Sequence, residues 1–103
     1  MTVLVITDRF EGSNSFEGSI VYLLSNNWSE ARRQAKELFL ADVEIERQEE
    51  SSMDENLTYW DDDADYGIIT WASGSATYEV ALVNDLPSPK KKFTGEERKK
   101  ENA

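Results

Sequence analysis

The 103-residue sequence contains no cysteine and no histidine. The first absence excludes disulfide bonds and thiol nucleophiles, and together they exclude thiolate and imidazole metal sites and histidine acid–base catalysis. No apolar run approaches the roughly 18 residues that a membrane-spanning helix needs. The apolar run near the N-terminus is too short for a secretory signal, and no basic region precedes it. We therefore expect a cytoplasmic protein with no membrane contact, no enzymatic activity and no cofactor.

The length limits the chain to one domain with one modest core. Near the N-terminus, apolar segments at residues 2–10 and 20–24 flank a polar loop and predict a β-hairpin. In the first segment, apolar residues that start at Val3 and at Leu4 each recur at every second position, so both sets of alternate positions are apolar. Such a strand is apolar on both faces, so we expect it to be central in a sheet.

A helix is predicted next, because Asn27 is a good N-cap residue and Glu30 follows it at the spacing of a capping box. Its apolar stripe consists of Ala31, Ala35, Leu38 and Phe39. Residues 42–46 alternate acidic and β-branched side chains, which favours a strand over a continued helix.

The best-defined predicted element is a C-terminal hairpin over residues 66–84, with Gly74-Ser75 as a two-residue turn. This register places Trp71 opposite Tyr78, so that one face collects the large apolar side chains. The other apolar members of that face are Ile69, Val80 and Leu82.

These elements predict the α+β class: a single small domain, residues 1–86, in which an antiparallel sheet of two hairpins packs on one helix. Residues 87–103 carry six basic and three acidic residues, with Phe93 as their only large apolar side chain. Burial cannot offset the entropy of ordering such a segment, so we predict a disordered basic tail.

Negative charge is concentrated in residues 42–65, the acidic segment. It holds eleven acidic residues and one basic residue, Arg47, so these 24 residues carry −10, as much as the whole chain. Like charges at this density repel one another, and we interpret the segment as a surface for a basic partner. Its acidic residues are Asp42, Glu44, Glu46, Glu49, Glu50, Asp54, Glu55, Asp61, Asp62, Asp63 and Asp65. Tyr59 and Trp60 lie among them and are candidate aromatic anchors.

We expect the acidic segment to bind the positively charged groove of a nucleic-acid-handling protein in place of nucleic acid, as a non-enzymatic inhibitor. On a strand, Glu44 and Glu46 would project from one face about 6.6–6.8 Å apart, a distance of the order of the phosphate spacing in nucleic acid. The body of the protein is not expected to bind nucleic acid itself. In size, charge and lack of catalytic residues, the chain resembles small acidic proteins that phages and mobile elements direct against host defence, such as anti-restriction and anti-CRISPR proteins. That resemblance implies action in the host cytoplasm.

Two other functions fit the sequence. The first is a protein-interaction or accessory module in which the sheet or the helix makes the contacts and the acidic segment is a solvated spacer. The second is weak binding of a divalent cation by the acids of residues 61–65. An EF-hand is excluded, because Tyr66 stands where that loop needs glycine and Ala72 where it needs glutamate. No dedicated metal site is predicted.

Overall fold

The computed structural model describes residues 1–9, 16–83 and 91–93. The elements are β1 (Thr2–Arg9), β2 (Phe16–Leu23), α1 (Trp28–Gln48), the single 3-10 turn η1 (Glu55–Leu57), β3 (Tyr59–Asp61), β4 (Tyr66–Trp71), β5 (Gly74–Leu82) and β6 (Lys91–Phe93). The sheet order is β3-β4-β5-β1-β2-β6, with β1 to β5 antiparallel and β6 parallel to β2. The predicted α+β class is confirmed, with both hairpins in one sheet that packs on one helix.

β1 is central in the sheet, as its two apolar faces predicted. It pairs with β2 on one side and with β5 on the other. Val3, Leu4 and Ile6 are fully buried. The N-terminal hairpin is confirmed, although β2 begins at Phe16, four residues before the predicted start.

α1 begins as predicted and ends later than predicted. The Asn27 side chain caps it by accepting the Glu30 backbone N–H at 3.0 Å. The strand predicted for residues 42–46 is wrong, because α1 continues to Gln48. Val43 follows Phe39 by one helical turn and extends the buried stripe, so packing outweighs the local strand preference. The buried residues of α1 are Ala31, Ala35, Phe39, Asp42, Val43 and Glu46.

In the C-terminal hairpin the turn lies at Ala72-Ser73, two residues before the predicted turn. Gly74 is instead the first residue of β5, opposite Trp71, with a φ of 156° that favours glycine. The predicted register is therefore wrong. Ser52 helps to hold the observed turn, since its hydroxyl accepts the Ala72 backbone N–H at 3.1 Å.

The predicted faces of this hairpin are nevertheless correct, and all but one of the residues assigned to the apolar face are buried. The turn lies two residues earlier, so each pairing partner changes by four residues, as from Tyr78 to Gly74 opposite Trp71. Side chains alternate with a period of two, so each residue keeps its face. Ile69, Trp71, Tyr78 and Val80 are buried against α1. Leu82 is the exception, since it is 71% exposed near the end of β5.

Part of the predicted basic tail is seen as β6, whose three residues pair with Ile20 to Tyr22 of β2. The rest of the tail and most of the loop between β1 and β2 lie outside the described residues. The prediction of disorder for the tail therefore stays a prediction.

Phe39 is the residue through which α1 fixes the acidic end of the sheet. Its ring meets Tyr78 edge-on at 5.1 Å and Trp60 of β3 at 5.4 Å. Gly67 lies beneath these rings, and a Cβ there would stand 2.6 Å from the Trp60 ring and 2.7 Å from the Phe39 ring. Glycine is thus needed for close approach, and β3 is packed firmly under the helix.

Candidate protein-binding surface

Two acids of the acidic segment are buried between α1 and the sheet. Asp42 is 4% exposed and accepts a hydrogen bond from the Tyr78 hydroxyl at 2.6 Å. Glu46 is 1% exposed and accepts the Trp71 indole N–H at 2.7 Å. Hydrogen bonding is what makes burial of such groups tolerable. These contacts tie the helix to β4 and β5, and they remove both residues from the predicted binding surface.

Two further acids bind the flank of α1. Arg32 donates to the Asp65 carboxylate at 2.6 Å and to the Asp62 carbonyl at 2.9 Å. Lys36, one turn later, donates to both carboxylate oxygens of Asp62 at 3.1 Å. The pKa of Arg32 is raised, first by its hydrogen bond to Asp65 and then by that residue's charge. The loop between β3 and β4 is therefore held against the helix by ion pairs.

The other two basic side chains described also bind acids. Arg47 contacts Glu55 and Glu44, and the hydrogen bond to Glu55 is the main cause of its raised pKa. Arg33 lies on the outer face of α1 between Glu30 and Glu37 and binds both. The Arg33 hydrogen bond lowers the pKa of the Glu30 carboxyl. All four basic side chains among residues 1–7 and 18–83 thus stand on α1, and each already has an acidic partner.

Four exposed acids of the segment form no ion pair or hydrogen bond with a described basic side chain, and we call them the acidic edge. They are Glu50, Asp54, Asp61 and Asp63. Asp63 acts on a described cation at longer range, since its charge contributes to the raised pKa of Arg32. Two of the four acids also organise the backbone. Asp54 accepts the Asn56 N–H at 2.9 Å and caps η1. Asp61 accepts the N–H groups of Asp63 and Ala64 at 2.9 and 3.2 Å. The remaining predicted residue, Glu49, is exposed at the C-cap of α1, next to Glu50.

Two acids of the acidic edge, Asp54 and Asp61, lie beside β4. The Asp54 N–H donates to the Thr70 carbonyl at 2.8 Å, and Asp61 pairs with Tyr66. Four residues of a strand separate these two points, a distance of about 13 Å. The edge therefore has acids at two ends, rather than the evenly spaced row that a strand over residues 42–46 would have given.

The aromatic pair in the segment divides between the core and the surface. Trp60 is half-buried against Phe39, whereas Tyr59 is 54% exposed and points to the other face of the sheet. Leu57, which the sequence analysis did not single out, is equally exposed and lies on the same edge. The helix cations Arg32 and Lys36 were also missed, although their spacing of four residues puts them on one flank.

Backbone strain falls on this segment. Among the described residues, the non-glycine residues with positive φ are Glu50 at 52° and Asp65 at 50°. Glu50 stands just beyond the C-cap of α1, where Ser51 N–H bonds to Glu46 C=O and Glu50 N–H to Arg47 C=O. Glycine is preferred at this position of such a motif. An acid is present there although glycine would fit the backbone better.

Within the described ranges, no three acidic side chains converge as metal ligands would. Asp62 and Asp65 bind Lys36 and Arg32 instead. No helix in this part of the chain is long and apolar enough to cross a membrane. Comparison with protein-family models, with curated proteins and with solved structures finds no match for the chain.

Proposed function

We propose that the protein is a non-enzymatic inhibitor that binds the positively charged groove of a nucleic-acid-handling protein in the cytoplasm and takes the place of nucleic acid there. One observation carries the proposal. The basic side chains of α1 are all engaged in ion pairs with acids, whereas the four carboxylates of the acidic edge form no ion pair with a described basic side chain. In the proposal, the partner supplies the positive charge that faces this edge.

The negative charge of the chain favours both the approach of a basic partner and its binding. A net charge of −10 attracts a basic groove over a distance set by the ionic strength, about 8 Å at physiological salt. Complementary charge of this kind raises the association rate and selects against acidic partners. Binding that weakens as salt rises is therefore expected.

The span of the acidic edge suits a groove made for nucleic acid. The backbone separation between its two ends, about 13 Å, equals the length of axis along which one DNA strand carries about four phosphates. Basic side chains spaced to hold that strand can reach acids at both ends of the edge. The exposed Tyr59 and Leu57 lie between the ends and supply apolar contact area.

The strained backbone at Glu50 supports a functional role for that acid. A non-glycine residue in the left-handed region costs roughly 1–2 kcal/mol. Strain of this kind persists mostly at sites where function opposes stability. Glu50 keeps an exposed carboxylate just beyond the C-cap of α1 despite that cost.

The test compares two variants that each remove four negative charges. The edge variant carries Glu50→Gln, Asp54→Asn, Asp61→Asn and Asp63→Asn, which keep the capping oxygens. The control variant carries Glu30→Gln, Glu37→Gln, Glu44→Gln and Glu79→Gln, which lie on α1 and β5. Each protein is used to capture partners from cell lysate at low and moderate salt. The captured protein is then tested for binding of labelled DNA or RNA and for its displacement by the inhibitor.

We expect the wild type and the control variant to capture a nucleic-acid-binding protein and to displace its nucleic acid. The edge variant should bind at least about tenfold more weakly, because the partner's cations lose their counter-charges. Equal loss in both variants would show that net charge alone matters. A partner that binds both variants like the wild type, or whose nucleic acid is not displaced, would contradict the proposal.

A further inference from the structure

β3 is an edge strand, with β4 on one side and no described strand on the other. Edge strands present backbone N–H and C=O groups that can pair with a further strand. Proteins commonly block this reaction by covering the edge with a loop or helix. Here the edge residues Leu57 and Tyr59 are each 54% exposed, so their side chains are open to a partner.

The hydrogen-bond pattern shows which groups of β3 point outward. Thr70 faces the β3 side of β4, because its carbonyl accepts the Asp54 N–H. Backbone direction alternates along a strand, so Ile68 faces β3 as well. Ile68 pairs with Tyr59, whose N–H and C=O therefore point into the sheet. Trp60, the next residue, directs its N–H and C=O away from β4, towards the free side of the edge.

Trp60 is also held firmly in this orientation. Its side chain packs against Phe39 of α1, with ring centroids 5.4 Å apart, and over Gly67 of β4. A strand fixed in this way offers its outward groups without first having to become ordered. Preorganisation of this kind favours binding, because less entropy is lost on association.

The side chains around the outward backbone define the ligand. Asp54 and Asp61 flank the edge at its two ends, with the exposed Leu57 and Tyr59 between them. The basic side chains described, those of residues 1–7 and 18–83, all stand on α1 and already bind acids. A complementary segment is therefore extended, basic, and apolar at intervening positions.

We infer that a basic extended segment of the partner adds to the sheet as a strand beside β3. This inference rests on the proposed function and specifies how the basic partner is held. Main-chain hydrogen bonds to Trp60 give the contact its geometry, as in other cases of β-strand addition. The acids at both ends fix a lysine- and arginine-rich segment in place, and Tyr59 and Leu57 contact its apolar side chains.

The probe is a synthetic decapeptide of alternating lysine and valine, and amide hydrogen exchange of the full-length protein is the readout. At a peptide concentration of about ten times its dissociation constant, exchange at the Trp60 amide should slow about tenfold, since only the free tenth of the protein exchanges. The amides of Tyr59 and Asp61, which already face β4, should change little. The matched peptide is the same sequence N-methylated at every residue, which has equal charge but no backbone donors.

We expect the N-methylated peptide to bind at least about tenfold more weakly, because it cannot complete the main-chain hydrogen bonds. Leu57→Ser with Tyr59→Ser should also weaken binding of the lysine–valine peptide. The control Leu40→Ser with Leu82→Ser, at exposed apolar residues outside the edge, should not. Equal affinity for both peptides, no binding of either, or unchanged exchange at Trp60 overturns strand addition.

Failure of strand addition is distinguishable from failure of the proposed function. If the peptide result is negative while a basic protein is still captured through the acidic edge, binding uses side chains alone. If the peptide adds to β3 but no captured protein loses its nucleic acid, the edge binds basic strands for another purpose.

Discussion

Glu46 and Glu50 are identical residue types one helical turn apart, yet their surroundings are opposite. Glu46 is 1% exposed and accepts a hydrogen bond from the Trp71 indole, whereas Glu50 is exposed just beyond the C-cap of α1. The first belongs to a buried acidic pair with Asp42, and the second to the acidic edge. Local composition does not separate them. What separates them is whether the sheet places a hydrogen-bond donor beneath the carboxylate.

A stretch with a formal charge of −10 is not one surface of that charge. Buried hydrogen bonds hold Asp42 and Glu46, and ion pairs to α1 hold Asp62 and Asp65. Surface ion pairs contribute little each to stability, but here they determine which acids stay available to a partner. Among the described side chains, the cations of α1 thus form ion pairs with other acids and none with the acidic edge.

Charge reversal should give the largest difference in the free energy of unfolding between Glu46 and Glu50. Glu46→Lys places a cation in the core and leaves the Trp71 N–H without its acceptor, and we expect it to cost about 3 kcal/mol or more. Glu50→Lys, at an exposed position, should stay within about 0.5 kcal/mol of the wild type. Urea unfolding followed by tryptophan fluorescence measures both. Equal unfolding midpoints for the two variants would mean that Glu46 is not buried as described.

Gly67 lies where α1 packs on β3, so Gly67→Ala should disturb both the core and the acidic edge. The added methyl group would stand 2.6 Å from the Trp60 ring and 2.7 Å from the Phe39 ring. Overpacking of this kind costs typically 1–3 kcal/mol, and it should displace β3 and weaken binding at the acidic edge together. Replacing the Phe39 ring by the smaller leucine side chain should relieve the clash. Phe39→Leu should therefore destabilise the Gly67→Ala variant less than it destabilises the wild type. Additive costs would contradict the packing described for these rings.

Most of the fold follows from local patterns in the sequence. The N-cap at Asn27 and the stripe from Ala31 to Phe39 depend only on residue types at helical spacing, and both were predicted. The faces of the C-terminal hairpin were predicted as well, because the period of two survives a shift of its turn from Gly74-Ser75 to Ala72-Ser73. The turn itself was not, since contacts from Ser52, twenty residues away, help to set it.

The candidate site could be predicted only in part. Charge density pointed to residues 42–65, and the structure keeps four of their acids exposed with no ion pair to a described basic side chain. The burial of Asp42 and Glu46 depends on hydrogen bonds from Tyr78 and Trp71, which lie on later strands. Likewise, the pairing of Asp65 depends on Arg32, more than thirty residues earlier. No local pattern contains such information. The alternation at residues 42–46 pointed to a strand, because Val43 and Ile45 fit a strand by their residue type and only tertiary packing shows that they lie on a helix.

Glu50→Gly should stabilise the protein while weakening binding, whereas Glu46→Lys should destabilise it. Glycine adopts the φ of 52° observed at this position without strain, and we expect a gain of about 1 kcal/mol. Glu49→Gly is the matched control, because Glu49 has a helical φ of −79° and should lose stability with glycine. Urea midpoints and affinity for the captured partner are measured together. A Glu50→Gly variant that is less stable than the wild type would show that the left-handed backbone is not strained.

The smallest expected effect is the pH dependence of the ion pair between Glu30 and Arg33. Because the Arg33 hydrogen bond lowers the pKa of Glu30 in the folded state, the carboxylate stabilises the fold above its ordinary pKa of 4.5. That contribution is lost as pH falls below 4.5 through the lowered pKa. The difference in urea midpoint between wild type and Glu30→Gln should therefore be constant at neutral pH and shrink in acid. In an Arg33→Gln background the pH dependence of this difference should weaken, and if it persists unchanged, Arg33 is not the cause.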